Sequence, residues 1–416
     1  MERWPSYELK AGGGGVSELE RLAQAAASAV EPEELVRLAV ELVRIPSYYP
    51  GPGEAPVVDY LAGYLRARGF QVRVQEVTPG RPNLIADLGE GPGGLILEGH
   101  ADVVTPGDEA AWRYPPFGGV LEGGRLYGRG AADMKGGLAA AIVASLAVRR
   151  VWGTPPRRLR LAVLADEEGM MAGVKAFVRA GHARGFRGAV VCEPEENEIC
   201  LWQKGAMRVR MRFQGRMAHG AMPYAGANPI PAAALAAVRV AEMERRLQAA
   251  LRHEQLGLPY LTPTVLQASA GEGQLNVIPP QAVLALDVRT VPGLEHGWLR
   301  RELEQAMAEA LQACPGVSGE LEVIEDRPAT EIPPQAAVVR AAERALRLLG
   351  LPVRYGAVPG ATDGTFLWAW EQLPIVTLGP GGRTVPHQAD EFVEIDQVVQ
   401  AARIYAALAV LMLGEP

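Results

Sequence analysis

Short apolar runs alternate with helix-forming stretches from about residue 44 to residue 200, and this alternation limits the possible folds more than any other feature. Runs such as "GGLILEGH", "RLRLAVLADEE" and "GAVVCEPEE" alternate with helical stretches such as "GGLAAAIVASLAVRR". Buried strands that alternate with helices are typical of a parallel sheet covered on both faces. We therefore expect an α/β fold with a mixed, mostly parallel sheet sandwiched between helices.

The pattern changes near residue 204. The stretch "GAMRVRMRFQGR" alternates apolar and polar residues with a period of two, which indicates a half-buried antiparallel strand. A helix, two strands, a second helix and a strand follow, as in a small inserted α+β domain, and a chain of 416 residues is too long for one ordinary core. We expect one domain from residues 1–204 and 326–416 and a second domain from residues 205–325.

The N-terminal segment and the overall composition limit the class of protein. "AGGGGVSELE" predicts a flexible hinge and then a helix that begins with a Ser17–Glu20 capping box. A net charge of −7 argues against nucleic acid or an anionic membrane as a partner. No apolar signal-peptide core follows the first residues, and the three cysteines fit neither a disulfide framework nor a CxxC metal site. These features predict a cytoplasmic protein.

Three of the predicted strands end in polar residues that do not suit packing. They end in His100 and Asp102, in Glu167 and Glu168, and in Glu193. The carboxyl ends of parallel strands open on one edge of the sheet, where α/β proteins place their sites. "GRGAADMKGG" adds Asp133 in a glycine-rich turn, and "TVPHQADEF" adds His387. Two histidines and several acids offer the nitrogen and oxygen ligands that Zn, Co or Mn bind.

Each of these features also has an ordinary explanation. A His-x-Asp sequence is usually a solvated strand end, an Asp in a glycine-rich turn is usually a turn residue, and paired glutamates usually face solvent. Asp166 is expected to cap or bond the loop backbone, and a third acid of the site is the alternative. Several of these residues fall at corresponding strand ends, however. The ordinary explanations would then require several independent coincidences. The nucleotide-binding pattern in "GEGPGG" comes before a strand, which argues against a nucleotide-dependent oxidoreductase.

The sequence "HADVVTPGDEAAWRYPPFGGVLEGGRLYGRGAADMKGG" closely resembles the first metal-binding region of a known di-zinc family. This family includes aminoacylase, acetylornithine deacetylase, succinyl-diaminopimelate desuccinylase and glutamate carboxypeptidase. Further similar segments follow in the family's order, among them "DEEGM", "CEPEE", "HGAMP", "NVIPP", "GATDGTF" and "PHQADEF", so that the resemblance covers about residues 34–413. It implies a zinc exopeptidase-like catalytic domain, interrupted by a lid domain that often forms a dimer.

The resemblance implies a pair of divalent metal ions, zinc foremost, with Co or Mn as alternatives. One ion would bind His100, Asp133 and Glu193, and the other would bind Asp133, Glu168 and His387, so that Asp133 is shared. Asp102 would orient His100, and Glu167 would be the catalytic base. Neighbours on a regular strand point to opposite faces, so this assignment requires the strand to end before Glu167 and Glu168 and to turn.

Further roles on the substrate side follow from the same resemblance. His219 would stabilise the oxyanion, often in the partner subunit's active site, and Asn276 and Arg289 would bind a substrate carboxylate. Local pairing of Arg289 on its strand is the alternative. Thr362 and Asp363 in "GATDGTF" would contact the substrate or support the metal site.

The expected activity is hydrolysis of the amide bond of N-acyl amino acids or small peptides by a hydroxide that bridges the two metals. "DMKGG" and "NVIPP" favour the deacetylase and desuccinylase branch, whereas Ala221 replaces a serine that many relatives carry. A dipeptidase or carboxypeptidase of the same family and a non-catalytic binding relative are the alternatives. The expected partners are a small-molecule substrate and a second copy of the chain, without nucleic acid or membrane.

Overall fold

The computed structural model describes residues 17–270 and 274–415. Their helices are α1 (Glu18–Ser28), α2 (Pro32–Arg44), α3 (Ala55–Arg66), α4 (Gly136–Trp152), α5 (Ala172–Arg179), α6 (Ile230–Ala250), α7 (His296–Gln312), α8 (Ala337–Leu348), α9 (Gly364–Glu371) and α10 (Ile395–Gly414). The four-glycine segment for which we predict a hinge lies outside the described residues. The capping box that follows it is confirmed, because Ser17 accepts the Glu20 N–H and the Glu20 side chain accepts the Ser17 N–H.

The strands follow the same chain order. They are β1 (Gln71–Thr78), β2 (Arg81–Leu88), β3 (Gly94–His100), β4 (Val120–Glu122), β5 (Arg125–Tyr127), β6 (Leu159–Leu164), β7 (Phe186–Val191), β8 (Ile199–Gln203), β9 (Gly205–Gln214), β10 (Ala218–His219), β11 (Tyr260–Ala268), β12 (Val277–Ile278), β13 (Gln281–Thr290), β14 (Ser318–Arg327), β15 (Thr330–Glu331), β16 (Tyr355–Val358), β17 (Ile375–Thr377) and β18 (Phe392–Glu394). The chain divides into two compact units. Among the described residues, unit 1 comprises 17–200, 333–355 and 370–415, and unit 2 comprises 201–270, 274–332 and 356–369.

The sheet of unit 1 has a parallel centre and antiparallel edges. Its strands lie in the order β1-β2-β6-β3-β7-β17, in which β6, β3, β7 and β17 are parallel and β1 and β2 are antiparallel to their neighbours. Strands β3 and β6 are buried along their whole length, as expected for central strands that helices cover. This confirms the predicted mixed sheet flanked by helices.

Helices α4 and α10 are apolar on all sides because they form the interior of unit 1. The segments Ala131–Trp152 and Ile395–Gly414 are long and apolar enough to cross a membrane, but 94% and 78% of their most apolar windows are buried inside the protein. Helix α4 packs against both α10 and β3. A helix that is apolar all round is typical of such a core position, so the two segments are accounted for as core helices.

The pairing of the parallel strands determines where the polar strand ends meet. His100 at the end of β3 pairs with Leu164 at the end of β6, and Glu98 pairs with Val191 at the end of β7. The residues that follow these three strands therefore leave the sheet at one edge, as predicted. This edge holds the candidate site.

Unit 2 is built on a four-stranded antiparallel sheet in the order β11-β13-β9-β14. The period-two pattern of β9 is confirmed, because alternate residues enter the core beneath α6 and α7 while the arginines between them face outward. Those arginines, Arg208, Arg210 and Arg212, pair across the strand boundary with glutamates of β14. Cross-strand pairs of opposite charge stabilise an exposed sheet face.

The two units differ from the predicted domains at residues 201–204, 326–332 and 356–369, of which the last is the longest segment. Residues 356–369 belong to unit 2, whereas the sequence analysis assigned them to the domain formed by residues 1–204 and 326–416. The physical reason is a set of hydrogen bonds to the start of unit 2. The Gln203 side chain accepts the N–H and hydroxyl of Thr362 at 3.1 Å each, and the Val358 carbonyl accepts the Lys204 N–H at 3.2 Å.

Two helical glycines test how closely the layers of unit 1 pack. A Cβ atom at Gly137 in α4 would lie 2.1 Å from the Cys192 carbonyl oxygen, whereas one at Gly63 in α3 would meet nothing within 4 Å. We expect Gly137→Ala to lower the free energy of unfolding by about 1–3 kcal/mol, because overpacking displaces the helix. Gly63→Ala is expected to raise it by about 0.5–1 kcal/mol, because alanine has less conformational entropy to lose in a helix. Urea denaturation of both variants measures the difference, and equal effects of the two substitutions would contradict the packing described for α4.

Candidate metal centre

Strand β6 ends at Leu164, and a tight turn redirects the two glutamates that follow. Asp166 has a left-handed backbone (φ 66°), and its carbonyl accepts the N–H of Gly169 at 3.3 Å and of Met171 at 2.6 Å. Glu167 is buried, and Glu168 reaches the candidate site. The turn that the assignment of two separate glutamate roles requires is therefore present.

Asp102 holds this turn through its carboxylate. Its two oxygens accept the backbone N–H groups of Glu167 at 3.2 Å and Glu168 at 3.1 Å. The His100 ring meets the same residue differently, since its Nδ1 lies 2.9 Å from the Asp102 carbonyl and 3.6 Å from the carboxylate. The structure thus adds an amide-binding function to the orienting role that the resemblance implies for Asp102.

Asp133 lies between two histidines from distant parts of the chain. Its Oδ1 is 2.9 Å from His100 Nε2, and its Oδ2 is 3.4 Å from His387 Nε2. Glu193 Oε1 is 3.6 Å from His100 Nε2, and Glu168 Oε1 is 2.8 Å from His387 Nε2. Each oxygen of Asp133 thus belongs to a different group of three donors.

The two donor groups match the sets that the resemblance implies. One consists of His100, Asp133 and Glu193 and the other of Asp133, Glu168 and His387, and within each group the donor atoms lie within 4.8 Å of one another. Imidazole nitrogens and carboxylate oxygens bind Zn at about 2.0–2.2 Å, so ligands of one ion lie a few ångströms apart. The donor types and their spacing fit a pair of divalent metal ions.

The charges of the donors act strongly on one another. Hydrogen bonds that His387 donates to the Asp133 and Glu168 carboxylates raise the pKa of His387 to about 10. Burial opposes protonation of His100, but the negative charges of Glu193 and Asp133 outweigh it and raise the pKa of this histidine. Burial raises the pKa of Glu193, and the repulsion from Asp133 adds to this shift. The cluster therefore favours positive charge in its midst, which two divalent ions would supply.

Asp166 is not a ligand in either group and instead supports the turn, as predicted. Its Oδ2 accepts the N–H groups of Met170 at 3.1 Å and Ala172 at 3.2 Å. Arg81 pairs with Asp166 and also with the fully buried Glu54, whose Oε1 accepts the Asp166 N–H at 3.0 Å. These ion pairs support the turn in addition to the bonds from Asp102.

The five residues predicted to face the oxyanion or the substrate all belong to unit 2. They are His219, Asn276, Arg289, Thr362 and Asp363. His219 is exposed on β10, which pairs with β12, and its Nδ1 accepts the Ala221 N–H at 3.1 Å. A neutral imidazole whose Nδ1 accepts carries its proton on Nε2, so His219 presents an N–H donor.

Arg289 pairs locally, as in the alternative considered from the sequence. Its Nε and Nη2 donate to the two oxygens of Asp287 on the same strand, at 2.7 and 3.1 Å. Thr362 is buried, bonded to Gln203, and Asp363 is buried beside it. Asn276 is exposed, and its carbonyl accepts the Gly220 N–H at 2.6 Å, one residue after His219. Substrate contacts by these four residues stay predictions.

Comparison with known proteins identifies the family. The profile of peptidase family M20/M25/M40 matches residues 96–410, which include both donor groups. The chain belongs to this family. Membership confirms the predicted resemblance and the predicted class of enzyme, a metal-dependent amidohydrolase.

Two curated relatives are similar along most of the chain. The succinyl-diaminopimelate desuccinylase of Methylocella silvestris is 31% identical over 389 residues, or 89% of this chain and 96% of the relative. The acetylornithine deacetylase of Klebsiella pneumoniae is 33% identical over 342 residues, or 81% of this chain and 86% of the relative. Among solved structures, an M20 family metallo-carboxypeptidase from Sulfolobus solfataricus matches with a TM-score of 0.74 at 18% identity, covering 92% of this chain and all of that one (100%). This likeness supports the fold.

Several charged residues around the site have no role in the sequence analysis. Lys135 is fully buried, donates to the Ile45 carbonyl at 2.6 Å, and has its pKa lowered to about 7 by burial. Arg129 and Glu391 form a buried ion pair beside Asp133. Lys135, Arg129 and Glu391 lie inside the motifs that carry the resemblance. The only sequence signal for their burial is that Lys135 and Arg129 stand among small and apolar residues. Arg81 and Glu54 lie outside those motifs and gave no signal.

Replacement of Arg81 should destabilise the protein, because Arg81 pairs with both Glu54 and Asp166 (the Arg81 cluster). In Arg81→Met the carboxylates of Glu54 and Asp166 lose their shared cation, and breaking a buried pair costs about 3–5 kcal/mol. We expect the free energy of unfolding to fall by an amount near the lower end of that range, measured by urea denaturation. Arg300→Met removes the exposed Arg300–Glu304 pair of α7 and should change it by less than about 0.5 kcal/mol. An equally small effect of both substitutions would show that the Arg81 cluster does not stabilise the turn.

Proposed function

We propose that this protein hydrolyses the amide bond of N-acyl amino acids or small peptides at a centre that holds two divalent metal ions. The observation that carries the proposal is the position of Asp133, whose two oxygens face His100 and His387, one from each donor group. Glu167 lies in the turn that Asp102 holds, and its negative charge helps to raise the pKa of Glu193 in the first donor group. A shared carboxylate with a further acid nearby that is not a proposed ligand suits metal-assisted hydrolysis.

His100, Asp133, Glu193, Glu168 and His387 are the proposed ligands. When bound, a pair of divalent ions polarises a carbonyl group and lowers the pKa of water. The two imidazole nitrogens among the five donors suit zinc, with cobalt or manganese as alternatives, because these ions accept mixed nitrogen and oxygen ligands.

Glu167 is the proposed general base. Its backbone is held by the Asp102 carboxylate, and its side chain is buried at the edge of the sheet, so that its position is set by the fold. A base in this position takes a proton from the attacking water and passes it to the nitrogen of the leaving amine. The same carboxylate makes both transfers, and it returns to its ionised form after the second one.

His219 is the proposed oxyanion donor. Its Nδ1 accepts the Ala221 N–H, which leaves Nε2–H to donate to the carbonyl oxygen as charge develops there. Asn276 and Arg289 are proposed to bind the substrate carboxylate, for which a guanidinium is suited. Arg289 would then exchange or share its bonds to Asp287. Thr362 and Asp363 are proposed to contact the substrate or to support the metal site.

Removal of an acyl group from an amino acid is the form of the reaction that the names of the two curated relatives favour. A relative named as a carboxypeptidase has the same fold, so cleavage of a peptide is the second form. A panel of N-acetyl and N-succinyl amino acids and dipeptides, assayed after reconstitution with Zn, Co or Mn, decides between them. No turnover of any member by metal-loaded protein would contradict the proposal and favour a non-catalytic binding protein.

We propose that the protein forms a homodimer through unit 2. Strand β11 lies at the edge of its sheet and exposes Val265 and Leu266, and the neighbouring helix α6 exposes Leu235 and Val238. An exposed apolar edge strand favours pairing with another chain. A second copy would cover this surface and extend the sheet.

We also propose a cytoplasmic location. All three cysteines are free and the two long apolar helices are largely buried. Free thiols suit a reducing compartment.

Glu167→Gln tests the proposed base. We expect kcat to fall by about 100- to 10,000-fold, the usual contribution of general acid–base catalysis, because glutamine cannot accept the proton. The metal content of this variant, measured by mass spectrometry, should equal that of the wild type. Glu168→Gln is the matched comparison, since it should lose bound metal as well as activity. A Glu167→Gln variant with the full rate would exclude this residue as the base.

A mixing experiment tests whether His219 acts in the partner subunit. Homodimers of His219→Asn and of Glu167→Gln should each be nearly inactive. After subunit exchange, a mixed dimer has one site with both residues intact, so about a quarter of the wild-type activity should return if the subunits mix at random. Recovery requires both a dimer and action in trans. Absence of recovery after exchange verified by mass spectrometry would contradict action across the dimer.

A further inference from the structure

Two of the proposed ligands, Asp133 and His387, lie in separate loops that one buried ion pair joins. Arg129 Nη1 is 2.5 Å from Glu391 Oε2, and the two side chains are 3% and 1% exposed. Both residues lie close in sequence to a proposed ligand, Arg129 before Asp133 and Glu391 after His387.

Glu391 binds the turn that carries Asp133. Its Oε1 accepts the backbone N–H of Ala132 at 3.0 Å and of Asp133 itself at 3.1 Å. The Glu391 carbonyl accepts the Gly128 N–H at 2.9 Å, at the start of the same turn. Two amides and one guanidinium therefore hold the Glu391 carboxylate, and the backbone of Asp133 cannot shift without breaking these bonds.

Arg129 binds the loop that carries His387. Its Nη2 donates to the His387 carbonyl at 3.4 Å, and its guanidinium lies over the Trp112 ring, 5.0 Å from the ring centre. His387 has a left-handed backbone (φ 68°), which a residue with a Cβ adopts only at a cost in energy. The bond from Arg129 helps to retain this conformation.

The two donor groups differ in how much they depend on such support. His100 ends β3 and Glu193 follows β7, and these neighbouring strands pair directly within the sheet. His387 lies in a loop between β17 and β18, and its side chain is 51% exposed against 1% for His100. The sheet positions the first group, whereas contacts between loops must position His387.

We propose that Arg129 and Glu391 are positioning residues that hold Asp133 and His387 at the spacing one metal ion requires. Through them, the ion pair sets the metal affinity of the Asp133–Glu168–His387 group more than that of the His100–Asp133–Glu193 group. The inference rests on the proposed metal centre and adds to it residues that are not ligands. Partners behind metal ligands typically change metal affinity by about 10- to 100-fold when they are replaced.

Three variants test the inference, together with one matched control. Arg129→Met removes the ion pair, Arg129→Lys keeps the charge without the planar fork, and Glu391→Gln keeps an acceptor for the amides without the charge. The control is Arg160→Met, which breaks the buried Arg160–Asp87 pair between β2 and β6, at 2.6 Å and with both side chains 3% exposed. This pair lies in the same unit but contacts no proposed ligand.

The readouts are the number of Zn ions bound per chain, their dissociation constants from competition with a chelator, and the visible absorption of the Co-substituted protein. Wild type and Arg160→Met should bind two ions with the same affinities. Arg129→Met and Glu391→Gln should bind one ion as the wild type does and the other about 10- to 100-fold more weakly, and Arg129→Lys should lie between. The Co spectrum should lose the contribution of the weakened site alone.

Wild-type affinity for both ions in Arg129→Met and Glu391→Gln would overturn the inference. An equal loss of the second ion in Arg160→Met would also overturn it, because general destabilisation would then account for the effect. If Arg129→Met does not fold, the nearly isosteric Glu391→Gln carries the test. A wild-type protein that binds no metal would instead refute the proposed function, and the inference with it.

Discussion

The concentration of negative charge at the carboxyl edge of the unit 1 sheet is the constraint on which the rest of the structure depends. Asp133 lies within a few ångströms of Glu193 in one donor group and of Glu168 in the other, and each group contains a histidine whose pKa these carboxylates raise. Carboxylates at this spacing repel one another unless positive charge lies between them. The fold brings them together because β3, β6 and β7 are parallel and end at one edge.

The supporting carboxylates around this edge are satisfied in a different way. Asp102 accepts two backbone amides, Asp166 accepts two amides and pairs with Arg81, and Glu391 accepts two amides and pairs with Arg129. Arginines balance the charges of Asp166 and Glu391, and backbone amides hydrogen-bond the Asp102 carboxylate, so that all three hold turns. The carboxylates of the proposed ligands pair with histidines that are themselves proposed ligands. This contrast separates the acids that hold the site from the acids that are available to metal.

Unit 2 brings a second set of polar residues, of which His219 is the clearest. Its imidazole is exposed and its Nδ1 is already occupied by a backbone N–H, so a donor remains on the other nitrogen. Arg289 and Thr362 both have local partners in the structure, and their contacts with a substrate stay predictions. A motif gives the type of residue at a position. The groups that hydrogen-bond its side chain depend on the surrounding strands.

The sequence by itself determined the layered α/β fold of unit 1, the antiparallel sheet of unit 2, the donor types and the family, because these depend on periodicity and on motifs that are local in the chain. Only the tertiary structure decided that the two oxygens of Asp133 face different histidines, that residues 356–369 belong to unit 2, and that Asp102 binds amides. It also decided the Arg129–Glu391 pair, whose members are 262 positions apart. A local sequence pattern does not predict which distant residue a side chain contacts. That partner depends on which loops meet at the edge of the sheet after the strands have paired.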